Sequence, residues 1–233
     1  MSDILEQIKE KIFKFPEPDF NGFCGYGPDL SPVLLLAAYA QGVFPWFNDD
    51  VDPVAWWSLD PRFVLLPSDF HVPKRLERFL KHNQKLADEE RFSFTTDKAF
   101  ESVISLCASV KRQGQKGTWI TKRMIDVYCI LHEMGFAHSF ESWHGSRLVG
   151  GFYGVLIGSV FFGESMFTLE SNAAKCRFVT FVRDFIKCGG ALIDCQAYTD
   201  NLSRYGAKNI SRVAFLRLEK EHLFKPLSTQ IPL

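Results

Sequence analysis

Between Ala137 and Phe167 three strand-like segments follow one another with almost nothing between them. AHSFESW and RLVGGFYGV flank the turn His144-Gly145-Ser146, and SVFFGESMF follows a second turn at Gly158. Segments of this length joined by short Gly-containing turns read as hairpins, so the middle of the chain is an antiparallel meander. The amphipathic stretch from about Asn172 to Cys188 reads as a helix ended by Gly189-Gly190, and ALIDCQ after it as a buried strand. A meander, a crossing helix and a further strand leave a narrow choice of architecture. The fold is expected to be α+β, a mixed α/β layer structure.

The flanks add detail. RFSFT reads as a strand leading into a helix over Asp97–Val110, and Thr121 caps a second helix stopped at Gly135. In that helix Met124, Val127, Tyr128, Leu131 and Met134 keep the helical period. RVAFLRL near the end alternates and reads as a strand. Upstream, the segment from Phe15 to Pro67 is rich in proline and turn residues. It carries one clear helix: Ser31 as N-cap, Pro32 at the first position, Gly42 after VLLLAAYAQ. VFPWFNDDVDPVAWWSLDPR reads as an aromatic loop, too proline-rich for a central strand. The composition shift at Pro61–Pro67 divides the chain into a small N-terminal domain, 1–66, and a larger one, 67–233.

Charge bears on partners. The chain has 27 basic and 27 acidic residues, but residues 1–60 carry a net −7 and residues 61–233 a net +7. A basic helix from Pro73 to about Lys85 places Lys74, Arg78, Lys81 and Lys85 on one face, with Arg75 beside them and Glu77 as the lone acid. Residues 111–123 hold Lys111, Arg112, Lys116, Lys122 and Arg123 and no acid. Charged helix faces are usually just solvated; two single-signed patches also suit a phosphate backbone. The six cysteines form no CxxC pair and no zinc spacing, which reads as reduced thiols and no metal site. MSDILEQIKEKIFKF has no secretory apolar run, and nothing spans about 20 apolar residues, so a cytoplasmic protein is expected. The 23 Phe, five Trp and six Tyr can fill a core and still line a pocket.

Three catalytic near-motifs fail on spacing. His132-Glu133 lacks the second histidine of HExxH at position 136, which is Phe; GESMF lacks the final Gly of a nucleophile elbow; and Gly22, Gly25 and Gly27 run in the wrong order for a dinucleotide fingerprint. Strand, helix and strand after a hairpin is the layout of the acyl-CoA N-acyltransferase superfamily, which binds pyrophosphate at a Gly-rich strand-to-helix turn. Here that turn, FTLESNAAK, has no Gly and places Glu170 where phosphate would come, so coenzyme A is disfavoured. Two polar groups stand out: Glu164 in an apolar strand, and Asp194 and Gln196, two apart and so expected on one strand face. A buried carboxylate must be paired. These acids either pair with a nearby Arg or hold an amine substrate against aromatic rings.

FPEP (15–18), DLSP (29–32), GVFPWF (42–47), WWSLDPR (56–62), GTWIT (117–121), HEMGFAHSFESW (132–143), LVGGFYGV (148–155), FFGESMF (161–167) and LIDCQ (192–196) occur in this order. Together they closely resemble the bacterial leucyl/phenylalanyl-tRNA–protein transferase family, over about Phe15 to Leu218. The resemblance implies a small N-terminal domain packed on one with an acyl-CoA N-acyltransferase (GNAT)-like core. It implies transfer of Leu or Phe, less readily Met, from aminoacyl-tRNA to the α-amine of proteins beginning with Arg or Lys, marking them for N-end-rule degradation. By motif, Asp194 and Gln196 correspond to the catalytic pair and Glu164 to a substrate-orienting acid. Trp119, Phe152, Met166, Phe181 and Phe185 correspond to the aminoacyl pocket, Trp46 to the terminal-adenosine site, and Lys74, Arg78 and Lys81 to the tRNA contact. Neither ATP, metal nor coenzyme A is implied, and a monomer is expected. The chain departs from the family at Pro28, Leu59 and Asn201, and Asp88-Glu89-Glu90 reads as a small insertion. Two other readings remain from the residues: a CoA-dependent N-acetyltransferase, and a noncatalytic tRNA- or degron-binding module.

Overall fold

The computed structural model describes residues 13–27, 29–47, 49–51, 53–110 and 119–231. Pro28, the bases Lys111, Arg112 and Lys116, and the stretch MSDILEQIKEKI lie outside them. After β1 (Phe23–Gly27) comes α1 (Pro32–Tyr39), begun as expected by the Ser31 hydroxyl accepting from the Leu34 N–H at 3.4 Å. Gly42, at φ +67°, turns the chain into β2 (Phe44–Pro45), followed by β3 (Val54–Trp57) and β4 (Arg62–Leu65).

These strands correct the reading of this region as loop. β3 is the middle strand of a three-stranded sheet ordered β1-β3-β2, and β4 is an inner strand of a larger sheet. Neither contains proline. Pro45 lies on an edge strand, and Pro53 and Pro61 stand just before strands, where a missing N–H leaves the ladder intact. The boundary expected after residue 66 therefore falls just past a strand of the larger sheet.

The remaining elements are α2 (Lys74–Asn83), β5 (Phe92–Thr96), α3 (Phe100–Ser109), α4 (Lys122–Glu133), β6 (Ala137–His144), β7 (Arg147–Ile157), β8 (Val160–Thr168), α5 (Ala173–Lys187), β9 (Leu192–Asp194), α6 (Asp200–Ser203), β10 (Lys208–Ile210) and α7 (Arg212–His222). The larger sheet runs β10-β4-β9-β8-β7-β6-β5, antiparallel at every pair except β8–β9. The expected meander is β6-β7-β8, with α5 as the crossover that makes β9 parallel to β8. This is the expected α+β fold, a mixed sheet with one strand–helix–strand crossover.

α7 is a second correction, since RVAFLRL reads as a strand. The Ser211 hydroxyl accepts from the Ala214 N–H at 3.2 Å and caps a helix that runs on through the strong helix formers LEKEH. Only Phe215 and Glu219 of this helix are buried, one turn apart, while Val213 is exposed. Period 2 and period 3.6 cannot be told apart over so short a window.

The sheet separates two cores. On one face α2 and α5 cover Phe140, Phe152, Phe161, Phe178, Phe181 and Phe185. On the other, one continuous cluster joins Leu35, Tyr39 and Trp56 of the N-terminal part to Val103, Tyr128, Phe162 and Phe215. The N-terminal part is thus packed directly against the sheet. Asp50 extends the contact, accepting from the backbone N–H groups of Lys122 and Arg123 at the start of α4, at 3.2 and 3.0 Å. Among the described residues no helix is long and apolar enough to cross a membrane.

Candidate active site

A bulge in β8 creates the site. Tyr153 pairs with Ser165 and Gly154 with Gly163, so Glu164 is the extra residue opposite no partner. Strict alternation would put Phe162, Glu164 and Met166 on one face. The bulge breaks that parity. Phe162 stays in the core with Tyr39 and Tyr128, whereas Met166, opposite Phe152, turns to the aromatic core under α5. Next to the bulge, a Cβ on Gly154 would lie 2.2 Å from the Phe162 carbonyl oxygen and 2.5 Å from the Phe161 ring. Gly154→Ala is accordingly expected to lose about 2–3 kcal/mol of stability through overpacking, measured by urea unfolding; a loss below about 0.5 kcal/mol would show that the bulge yields.

Glu164 Oε1 accepts from the Tyr39 hydroxyl at 2.7 Å and from Gln196 Nε2 at 2.8 Å, its Oε2 shares a hydrogen bond of 3.0 Å with the Tyr128 hydroxyl, and the two hydroxyls also touch each other. A proton count is informative here. Three oxygen–oxygen contacts join the two phenols and the carboxyl, but the phenols bring only two protons. A protonated Glu164 supplies the third and closes the ring with every donor placed. Burial acts the same way. It raises the Glu164 carboxyl to about 7, with the nearby Asp194 charge adding to the effect and the hydrogen bonds opposing it. Both phenols are raised well above their usual value, first by burial and then by Glu164.

Gln196 and Asp194 do come together, but not on one strand face. β9 ends at Asp194, and Gln196 sits at φ +60° at the apex of a γ-turn closed by the Ala197 N–H to the Cys195 carbonyl, 2.7 Å. An L-residue in that conformation is strained and must be held. The holder is Asp194, whose Oδ1 accepts from the Gln196 N–H at 2.9 Å. Asp194 is itself bound on both oxygens by Arg62, at 2.8 and 2.6 Å, and neither side chain is exposed. The rings of Phe44 and Phe215 cover the two faces of the guanidinium, 4.8 and 4.6 Å away. Of the two readings open for Asp194, pairing with an Arg is the one the structure shows. Its charge is spent on Arg62 and its geometry on Gln196.

Other expected site residues divide. Phe152, Phe181 and Phe185 lie together in the core under α5, with Phe181 and Phe185 stacked at 5.5 Å. All three are buried (3%, 0% and 0% exposed), so they form the back of this region rather than an open wall. Met166 packs against this cluster while partly exposed, and Asn201, one of the departures from the family, places its Nδ2 3.9 Å from the Met166 sulfur. Trp119 is on the opposite side of the sheet, packed against the other core just before the Asp50 contact. Trp46 is half-exposed and faces Trp57, ring centroids 6.1 Å apart. Lys74, Arg78 and Lys81 are exposed on α2, whose Leu76 and Leu80 belong to the same core as Phe152 and Met166. Glu77 of that helix is engaged by Arg183 and stands 3.9 Å from Lys81. Asp88 pairs with Arg91 at 2.7 Å, beside the proposed contact helix.

Arg62, Tyr39 and Tyr128 were not anticipated. Tyr39 and Tyr128 read as apolar helix positions, yet a buried phenol requires a partner for its hydroxyl, and that was the available signal. The start of α5 is closed by packing. A Cβ on Gly150 would meet the Ala174 nitrogen at 2.7 Å, and Glu170, ahead of the helix, pairs with His144 and Arg147. Among the described residues no group of three His, Cys, Asp or Glu could hold a metal ion.

The site thus places a carboxyl and a carboxamide, both held by buried partners, at the junction of β8, β9 and the N-terminal part. Comparison with known proteins identifies the family. Residues 64–220 match the model of leucyl/phenylalanyl-tRNA protein transferase, and residues 28–60 that of its N-terminal domain. A leucyl/phenylalanyl-tRNA–protein transferase of Anaeromyxobacter sp. (strain Fw109-5) is 48% identical over 87% of this chain and 84% of its own length. That of Oleidesulfovibrio alaskensis is 44% identical over 98% and 93%, and that of Myxococcus xanthus 48% over 91% and 88%. Among solved structures, a GCN5-related N-acetyltransferase-like protein from Streptococcus suis aligns over 76% of this chain and 63% of its own, at 14% identity and a TM-score of 0.35, too loose a likeness to bear on function. The chain belongs to the leucyl/phenylalanyl-tRNA protein transferase family.

Proposed function

We propose that this aminoacyltransferase moves Leu or Phe, and less readily Met, from aminoacyl-tRNA to the α-amine of proteins beginning with Arg or Lys, feeding N-end-rule degradation in the cytoplasm. The observation that carries this reading is the Gln196 carboxamide, fixed from both ends. Its backbone is held by Asp194, and its NH2 is committed to Glu164. The carbonyl oxygen is left as the acceptor that meets the attacking amine.

The reaction asks little more. An aminoacyl ester is already activated, and an α-amine of pKa about 7.7–8.0 costs about 1 kcal/mol or less to deprotonate near neutral pH. Gln196 has no basicity, so it orients the amine and accepts a hydrogen bond while orientation supplies most of the rate. Asp194 serves as a positioning residue. Met166, backed by Phe152, Phe181 and Phe185, offers the apolar contact for an unbranched-at-Cβ side chain, and Trp46 and Trp119 offer ring surfaces on the side of the N-terminal part. No step needs ATP, metal or coenzyme A, and the closed start of α5 agrees with a donor that brings no pyrophosphate.

The test is direct. Incubation with labelled Phe-tRNA and a protein beginning with Arg is expected to label the acceptor, and acetyl-CoA in parallel is not. Acetyl transfer would favour the N-acetyltransferase reading, and tRNA binding without transfer the noncatalytic one. The exposed bases of α2 carry a second expectation. Replacing Lys74, Arg78 and Lys81 together by Ala should flatten the slope of log K against log salt by about 2, since each phosphate contact contributes roughly 0.7–0.9. An unchanged slope in a filter-binding titration would move the tRNA contact elsewhere.

A further inference from the structure

Two buried polar atoms near this site have no partner: Nη1 of Arg62 and Oε1 of Glu219. Arg62 is 0% and Glu219 2% exposed, so neither omission is relieved by solvent. The two belong to one arrangement. Phe215, which covers one face of the Arg62 guanidinium, lies one helical turn before Glu219 on the buried face of α7. The charge of Arg62 acts directly on Glu219, second only to the burial that raises its carboxyl, and the backbone of Gly42 supplies a further hydrogen bond.

We infer that Glu219 is a positioning residue for the transfer reaction, the acceptor that completes the hydrogen bonding of Arg62 Nη1 through one buried water. The proposal rests on the reading of Gln196 given above. Glu219 also borders a cavity of about 460 Å³ between Phe15–Pro18 and α7, from which a water can reach its carboxyl. A guanidinium has five N–H groups. Asp194 takes one on Nε and one on Nη2, and the pair on Nη1 is left without an acceptor. With Glu219 in place, Arg62 is fixed on both sides. Asp194 is then fixed by Arg62, and the strained Gln196 turn by Asp194. The chain from α7 to the carboxamide is a relay of geometry in which no proton needs to move.

An acceptor is what the arrangement requires, so the charge of residue 219 matters less than its oxygen. Glu219→Gln keeps an oxygen and is expected to transfer within about twofold of wild type. Glu219→Leu has none, and its single-turnover rate is expected to fall about tenfold, with an unchanged KM for Phe-tRNA and unchanged tRNA binding. Should the Leu variant not fold, Glu219→Ala takes its place, with the same direction expected. A folded Leu or Ala variant at the wild-type rate, or a Gln variant as slow as either, overturns the inference. Gln196→Ala, assayed alongside, separates this from the underlying reading. If it transfers like wild type, the role of Gln196 is wrong. If it is slow while the residue 219 variants are fast, only the role of Glu219 is wrong.

Discussion

Arg62→Met is expected to be the most damaging single substitution in the molecule, costing about 3–5 kcal/mol of stability in urea unfolding. The reason is asymmetry. The Arg62–Asp194 pair lies entirely out of solvent, and removing one member of such a pair leaves the other as an uncompensated buried charge. Met fills nearly the same space between Phe44 and Phe215, so the loss is electrostatic rather than a cavity. Adding Asp194→Leu removes the orphaned carboxylate, and the double variant is expected to regain most of the stability, a large coupling energy in the double-mutant cycle. Transfer is expected to behave differently. The double variant has no acceptor for the Gln196 N–H, so the γ-turn loses its support, and the single-turnover rate stays at least tenfold below wild type although folding is restored. A single variant within about 1 kcal/mol of wild type would remove the pair from its structural role. A double variant with full activity would remove Asp194 from the positioning of Gln196.

Much of this site could be read from the sequence, and the part that could not has an identifiable cause. The meander, its crossing helix and the two polar motifs followed from turn chemistry and periodicity, because β6, β7 and β8 are long and joined by short turns. Glu164, Asp194 and Gln196 stood out as polar groups in apolar surroundings. What stayed hidden depends on departures from regular geometry. The bulge that separates Glu164 from Met166 leaves no mark in a period-2 pattern. The left-handed turn at Gln196 is occupied by a residue with no preference for it, so nothing local announces it. Arg62 sits in a segment whose prolines concealed β4, and its pairing with Asp194 is a contact across 132 residues. In each case tertiary contacts, rather than local propensity, decide the conformation.

The Glu164 ring gives the second large effect, and its sign can be worked out. The carboxyl is raised from an ordinary 4.5 to about 7 in the folded protein. Between those values the unfolded chain has released its proton while the folded one keeps it, so folding binds a proton and stability falls as pH rises. Its contribution is intact below about pH 4.5 and is lost progressively up to about 7, a swing of about 3 kcal/mol, after which the curve levels. Glu164→Gln removes the titration without removing the hydrogen bonds. Its carbonyl oxygen accepts from Tyr39 and Gln196, and its NH2 donates to Tyr128, the arrangement the protonated acid makes. The variant is therefore expected to match wild type in acid and to be more stable by about 3 kcal/mol at pH 8, with the slope between pH 5 and 7 flattened in urea melts. Transfer by Glu164→Gln should persist, because the carboxamide of Gln196 is still held, whereas Glu164→Leu, leaving three hydrogen-bond partners unpaired, should lose both stability and rate. If Glu164→Gln kept the wild-type slope, the titrating group would be elsewhere. If it were less stable than wild type at pH 8, the ring would be holding an ionised carboxylate, and the proton count that closes it would be wrong.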